Sequence, residues 1–169
     1  GHFAYSTKGQ TVCPAGTWAS GNTTPRTSCT NASKGYYVAY TGRWYQDLCP
    51  AGKYQDATGQ VDCKFPSAGK YADSTTSQKV CPAGTWAATG NVARTACAYP
   101  SVGSYANSSN SQTECAAGTW AATNNVARGH GTTGCAPASK GHYATPWSRN
   151  AEHACPAGKY QDATGQVDC

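Results

Sequence analysis

Large apolar side chains are sparse along this chain and stand within polar stretches, and no segment carries a sustained helical period. Their positions follow one rule: ten times in 169 residues, a Gly, any residue and an aromatic residue are followed, after 8 to 14 further residues, by a Cys. The aromatic and cysteine pairs are Phe3/Cys13, Trp18/Cys29, Tyr37/Cys49, Tyr54/Cys63, Tyr71/Cys81, Trp86/Cys97, Tyr105/Cys115, Trp120/Cys135, Tyr143/Cys155 and Tyr160/Cys169. Each aromatic residue predicts a short strand, then a turn and a return strand that ends in the Cys. A period this short predicts a linear array of small units.

The half-units of this array alternate between two kinds. In the first kind the Gly ends a Cys-Pro-Ala-Gly turn, as at 13–16, while in the second kind a spacer without Cys precedes the Gly, as at 64–69. Pro sets φ near about −65° and a Gly two residues later permits a positive φ, which predicts a type II or related turn. The predicted half-units are 1–13, 14–29, 30–49, 50–63, 64–81, 82–97, 98–115, 116–135, 136–155 and 156–169. We therefore expect a small disulfide-rich all-β fold, an elongated tandem array of short disulfide-stapled β-hairpin units with little or no helix.

The composition leaves little material for an aliphatic core. Leu, Ile, Val and Phe together make up 11 of 169 residues, whereas disorder is expected below roughly 20% when net charge is also high. The net charge here is only +5, with 12% charged residues, so the chain lacks the high charge that is typical of disordered proteins. Disulfides and aromatic rings are the available replacements, since one disulfide across a short loop contributes about 3 kcal/mol. We interpret the ten regularly placed rings as a packed ladder that serves as the core.

Two disulfide registers are compatible with the spacing. Pairing within the Cys-Pro-Ala-Gly units leaves no cysteine over and closes each hairpin: Cys13–Cys29, Cys49–Cys63, Cys81–Cys97, Cys115–Cys135 and Cys155–Cys169. The shifted register (Cys29–Cys49, Cys63–Cys81, Cys97–Cys115, Cys135–Cys155) leaves Cys13 and Cys169 for links to a neighbouring chain. We favour the first register.

The cysteine usage also bears on where the protein acts. Disulfides persist in oxidising compartments, so the chain is expected outside the cell, secreted or on the cell surface. No apolar run approaches the ~20 residues of a bilayer-spanning helix, and no membrane span is expected. The segments 49–63 and 155–169 are identical in sequence, which is typical of a stretch of a longer array or a polymer repeat.

The motif itself resembles a known family. Units that read Cys-Pro-Ala-Gly-Thr-Trp or Cys-Pro-Ala-Gly-Lys-Tyr, with a Gly in the hinge and a closing Cys about 14 residues after the first, resemble the ephrin-receptor-like cysteine-rich repeats. These are distantly similar to tumour-necrosis-factor-receptor modules. The resemblance implies an extracellular, modular and elongated architecture. Many members of that family carry an additional Cys-x-x-Cys step between units, and this chain has none.

Residues outside the period are the candidates for external contacts. Extra aromatic residues predict a contact surface for another chain or for glycan: Tyr36, Tyr40, Trp44, Tyr45 and Trp147. Three Asn-x-Ser/Thr sequons predict N-glycosylation, at Asn22, Asn31 and Asn107. The 35 Ser and Thr residues also favour O-glycans. Local packing is the alternative explanation for the extra aromatic residues.

Catalytic, metal and nucleic-acid sites are not expected. The four His are scattered without ligand spacing, and no nucleophile motif is present. The 13 Lys and Arg residues form no run, which does not favour nucleic-acid binding. We expect no enzyme activity, no metal and no cofactor.

The leading hypothesis from sequence is a structural one. Stacked repeats expose polar edges at their ends and favour end-to-end continuation. We therefore expect an extracellular, glycosylated subunit of a filament, a flagellar hair or a cell-surface or wall layer that self-associates. The alternatives are a ligand-binding or adhesive stalk segment of a receptor-like surface protein, and a carbohydrate-binding module.

Overall fold

The computed structural model describes residues 1–6, 9–20, 28–121 and 134–169. It confirms a small disulfide-rich all-β chain, since these residues contain short strands, five disulfides and no α-helix. The strands are β1 (His2–Ser6), β2 (Gly9–Val12), β3 (Thr17–Trp18), β4 (Thr30–Asn31), β5 (Tyr36–Tyr37), β6 (Asp47–Leu48), β7 (Lys70–Ala72), β8 (Gln78–Val80), β9 (Ser104–Ser108), β10 (Ser111–Glu114), β11 (Thr119–Trp120), β12 (Ala136–Pro137), β13 (His142–Tyr143) and β14 (His153–Ala154). Each sheet consists of two consecutive strands. Isolated bridges at Tyr54–Lys64 and Trp86–Ala98 replace a strand pair in two further hairpins.

The chain divides into two compact units. Unit 1 comprises residues Gly1–Ser67, Tyr71–Lys79 and Gly90–Ala96. Unit 2 comprises Ala68–Lys70, Val80–Thr89 and Cys97–Cys169. Every hydrogen bond discussed below joins residues of the same unit.

A tight turn before each aromatic residue sets the repeat. In unit 1 the N–H of Thr17 donates to the carbonyl of Pro14 at 3.1 Å. In unit 2 the N–H of Thr119 donates to the carbonyl of Ala116 at 3.0 Å. The third residue of both turns is a Gly with φ near +80°, at +83° for Gly16 and +80° for Gly118. This bond and this φ are those of a type II turn, as the sequence predicts.

The hairpins of the second kind stop at their Cys, as expected, whereas those of the first kind continue beyond it. The paired strand ends immediately before the residue that lies three positions ahead of the next turn Gly, as β4 does before Ala32 and β6 before Cys49. That residue is a Cys only where the hairpin belongs to a half-unit of the second kind. We therefore define nine repeats that start there: 13–31, 32–48, 49–65, 66–80, 81–99, 100–114, 115–137, 138–154 and 155–169. Those that start with Cys are called cysteine repeats, and the others serine repeats, because Ser is always their second residue.

The residue after each aromatic ring joins a repeat to its neighbours. In unit 1, Val38 accepts a backbone hydrogen bond from Gly16 at 2.8 Å and donates one to Gln60 at 2.9 Å. In unit 2, Ala144 accepts from Gly118 and donates to Gln166, both at 2.9 Å. Consecutive repeats therefore approach at backbone hydrogen-bond distance on both sides of this residue.

This close approach decides what forms the core. The residues at that position are buried in repeat after repeat, and most of them are small: Ala19, Val38, Gln55, Ala72, Ala87, Ala106, Ala121 and Ala144. Most of the preceding rings, including Trp18, Tyr37 and Tyr143, are only half-buried. The ring ladder interpreted as the core therefore lies at its margin, because the residue after each ring takes the place between the hydrogen-bonded backbones.

The turn glycines also meet the repeat after the next one. A Cβ at Gly35 would lie 2.8 Å from the hydroxyl oxygen of Thr75, and one at Gly103 would lie 3.0 Å from the Cβ of Arg149. Both glycines have a positive φ, so any other residue would be strained as well as crowded.

Candidate functional site

Five disulfides close the cysteine repeats. They join Cys13–Cys29, Cys49–Cys63, Cys81–Cys97, Cys115–Cys135 and Cys155–Cys169, the same pairs as the first register. Each bond links the first residue of a repeat to one near its end. Disulfides in this number are typical of extracellular or secreted proteins.

A side-chain hydrogen bond closes each serine repeat in the same place. The backbone N–H of Ser67 donates to Oε1 of Gln78 at 2.9 Å, and that of Ser101 donates to Oε1 of Gln112 at 2.8 Å. The other two serine repeats have the same bond, between Ser33 and Gln46 at 2.7 Å and between Ser139 and Glu152 at 2.7 Å. The Gln or Glu is always the third residue from the end of its repeat, where four of the five cysteine repeats carry their second Cys.

The identity of the second residue fits the type of closure. Four of the five cysteine repeats have Pro there, which has no N–H to satisfy, whereas every serine repeat has a Ser whose N–H needs an acceptor. The sequence interpretation missed this role of Gln46, Gln78, Gln112 and Glu152. The signal was a Gln or Glu three residues before each Cys that ends a half-unit of the second kind.

The carboxylate variant of this closure has a perturbed acidity. The backbone N–H of Ser139 bonds the Glu152 carboxylate and holds its pKa below the ordinary value of 4.5, against the opposing effect of desolvation. The Ser139 hydroxyl and nearby His142 also lower the pKa of Glu152. Glu152 is therefore an ionised acceptor where the other serine repeats use a neutral amide.

The aromatic residues predicted as a contact surface occupy two separate places. Tyr40, Trp44 and Tyr45 are exposed in repeat 32–48 of unit 1, and Tyr36 in the same repeat is half-buried. Arg43 in that repeat lies over the Tyr45 ring at 4.2 Å and pairs with Asp47 at 3.0 Å. These contacts hold Tyr45 in place without covering it.

The fifth residue of that predicted surface, Trp147, belongs to unit 2. It is 95% exposed in repeat 138–154 and borders a cavity of about 590 Å³. Arg149 and Glu114, which form an ion pair, also line this cavity.

The three sequons have different surroundings. Asn107 is exposed near the end of β9, and its Oδ1 accepts a hydrogen bond from the Ser111 hydroxyl at 2.5 Å. Asn31 is exposed in β4, although its side chain lies beside Gly59. Asn22 lies outside the described residues.

Comparison with known proteins gives no assignment. No protein-family model matches the chain, and a search of curated proteins finds no significant relative. Within the described parts of the chain, no three His, Cys, Asp or Glu side chains are grouped as metal ligands would be. The same ranges contain no helix long and apolar enough to cross a membrane.

Proposed function

We propose that this chain is an extracellular structural repeat protein, a glycosylated subunit of a filament, flagellar hair or cell-surface or wall layer that self-associates. The observation that supports self-association most strongly comes from the two identical segments, 49–63 and 155–169. Tyr54 in the first is 7% exposed, whereas Tyr160 at the same place in the second is 81% exposed.

The two segments have the same internal structure. The side-chain amide of Gln55 donates to the carbonyl of Asp62 at 2.8 Å, and Gln161 donates to Asp168 at 3.0 Å. Each segment is closed by its own disulfide across a sequence separation of 14. Their different exposure therefore comes from their surroundings and not from their own folding.

The surroundings of segment 49–63 indicate what fits its twin. Later repeats of unit 1 cover it: the N–H of Gln55 donates to the Thr75 carbonyl at 2.8 Å, and the N–H of Arg94 donates to the Gly52 carbonyl at 3.0 Å. A Cβ at Gly52 would lie 2.8 Å from the Ala93 backbone, whereas one at Gly158 would meet no described atom within 4 Å. The surface that fits the open segment is thus another pair of repeats of this kind.

The chain carries a matching pair in its own sequence. Residues 1–29 align without gaps with 69–97, which follow segment 49–63, and 16 of 29 positions are identical. A second copy can therefore offer the kind of repeats that cover Tyr54. Association of copies in this manner would extend the array in one direction.

Sedimentation velocity and negative-stain microscopy of the disulfide-bonded protein test the proposal. We expect concentration-dependent association into extended particles, and Tyr160→Asp should weaken it by placing a charge in the contact. The matched control is Tyr99→Asp, which changes another exposed tyrosine of the same unit and should leave association unchanged. Monodisperse monomer over the whole concentration range would contradict self-association. Glycopeptide mass spectrometry of native material tests glycans at Asn22, Asn31 and Asn107.

The second candidate is a ligand-binding or adhesive stalk segment of a receptor-like surface protein. The exposure of Tyr40, Trp44 and Tyr45 favours it, because exposed aromatic residues are enriched at protein interfaces. Under this alternative, Trp44→Ala would abolish adhesion to cells or matrix without changing the sedimentation of the purified chain.

A further inference from the structure

We propose that the cavity beside Trp147 binds a neutral saccharide, a property independent of self-association. The cavity lies between the turn of repeat 100–114 and the hinge of repeat 138–154, both in unit 2, and measures about 590 Å³. Its lining includes apolar residues, Val102, Pro146 and Trp147, and polar residues, Glu114, Arg149 and Asn150, which are called the polar side below.

The hinge holds Trp147 as a platform. The N–H of Ser148 donates to the carbonyl of Thr145 at 3.2 Å and also lies 3.1 Å from its hydroxyl oxygen. The Ser148 hydroxyl donates to Asn150 at 3.1 Å and lies 2.8 Å from Nε2 of His153. These bonds order the residues on both sides of Trp147 and leave the indole itself 95% exposed. The backbone that carries the ring therefore loses little freedom when a ligand covers it.

The polar side is also fixed before any ligand arrives. The carbonyl of Arg149 accepts a backbone hydrogen bond from Ala121 at 2.9 Å, and its Nη1 donates to the Glu114 carboxylate. The Arg149 side chain is 25% exposed and that of Glu114 is 75% exposed, so carboxylate oxygens remain within reach of a ligand. Donors and acceptors placed side by side suit neighbouring hydroxyl groups, each of which both donates and accepts.

The chemistry of the cavity favours a sugar over other ligands. Arg149 and Glu114 neutralise each other, so neither an anion nor a cation is preferred at this pair. A pyranose ring has one flat face of C–H groups, which stacks on an aromatic ring, and a rim of hydroxyls for the polar side. Proline-rich peptides instead occupy grooves lined by several aromatic residues, and here Trp147 is the single aromatic residue that lines the cavity among the described residues.

The related repeat 32–48 provides a natural comparison. Its Arg43 occupies the position of Arg149, but it pairs with Asp47 of its own repeat, and the place of Trp147 is taken by Thr41. The exposed tryptophan of that repeat, Trp44, lies at the position of Asn150 and not at that of Trp147.

The test uses the indole N–H resonances of the full-length, disulfide-bonded, enzymatically deglycosylated protein. The protein is titrated with oligosaccharides of glucose, mannose and N-acetylglucosamine while the resonances of its five tryptophans are followed. We expect saturable shifts of the resonance that disappears in Trp147→Ala. Trp147→Ala should lower the affinity at least about tenfold, as expected for loss of an aromatic anchor, and Glu114→Gln should lower it less.

The control variant Tyr99→Ala, which changes an exposed aromatic residue of the same unit outside the cavity, should bind as the parent protein does. Because Trp147 is almost fully exposed, its replacement is not expected to change the remaining indole resonances, which verifies the fold. Absence of saturable shifts with every sugar would overturn the proposal. So would an affinity that is undiminished in Trp147→Ala, or shifts of the Trp147 resonance caused only by a proline-rich peptide.

Discussion

Cysteine repeats and serine repeats perform the same closure by different chemistry. In repeat 49–65 a disulfide joins the first residue to the third from the end, and in repeat 66–80 a hydrogen bond joins Ser67 to Gln78 at nearly the same two places. A disulfide stabilises the folded protein by about 3 kcal/mol because it restricts the unfolded chain, whereas a hydrogen bond stabilises it by about 1 kcal/mol. The alternation indicates that the array needs a closed hairpin in every repeat but a covalent one only in every second repeat.

Removal of a disulfide should have the largest effect. We expect Cys49→Ala/Cys63→Ala to lower the free energy of unfolding of its unit by about 3 kcal/mol or more, measured by urea denaturation. The matched control is Cys155→Ala/Cys169→Ala, which removes a bond from the identical segment. Cys49 and Cys63 are buried, whereas Cys155 and Cys169 are half-exposed, so the control should lose less because it leaves no buried cavity. Equal losses would contradict the role assigned to the covering repeats.

Conversion of a serine repeat into a cysteine repeat should have the next largest effect. If Ala32 and Gln46 occupy the places of the two cysteines, Ala32→Cys/Gln46→Cys should form a sixth disulfide and stabilise unit 1 by about 2 kcal/mol. Non-reducing peptide mapping detects the bond. Recovery of two free thiols from the folded double variant would show that the two kinds of repeat differ in geometry.

Loss of a glutamine closure should cost less. Gln78→Ala leaves the Ser67 N–H without its acceptor and should destabilise unit 1 by about 1 kcal/mol. Ser67→Pro/Gln78→Ala should recover most of that loss, because Pro removes the N–H and restores the second residue of a cysteine repeat. A double variant no more stable than Gln78→Ala would argue against the hydrogen bond as the closure.

The acidic closure should give the smallest and a pH-dependent effect. The pKa of Glu152 is lower in the folded protein than its ordinary value of 4.5, so its stabilising contribution is present above that value and is lost as pH falls through the folded pKa. Glu152→Gln should flatten this part of the stability curve between neutral and acidic pH. Thermal unfolding followed across that pH range provides the check. Gln112→Glu is expected to introduce the same pH dependence in its own repeat.

Prediction from sequence succeeded where one residue type has one physical role. Gly at the third position of a tight turn and paired Cys at regular spacing have few alternatives, so the turns and the all-β, disulfide-rich class follow from them. Trp44 and Trp147 were also recognisable as exceptions to the period, and both are exposed in the structure, while their role as contact residues stays a prediction. The glutamine closures were missed because Gln has many roles, and nothing local shows that Gln78 reaches Ser67.

The same reasoning misplaced the core. Rings are large and apolar, so Trp18 and its equivalents appeared to be the natural core. Yet the neighbouring backbones approach so closely that a small residue such as Ala19 takes the buried position. This distance between repeats is a property of packing and has no signature in a single repeat.

The two identical segments separate what sequence determines from what tertiary structure decides. Fifteen residues alone determine the turn, the glutamine hydrogen bonds and the disulfide, because these contacts lie within the segment and recur in both copies. Whether the tyrosine is buried like Tyr54 or exposed like Tyr160 is decided by the repeats that pack on the segment, since burial depends on neighbours outside it.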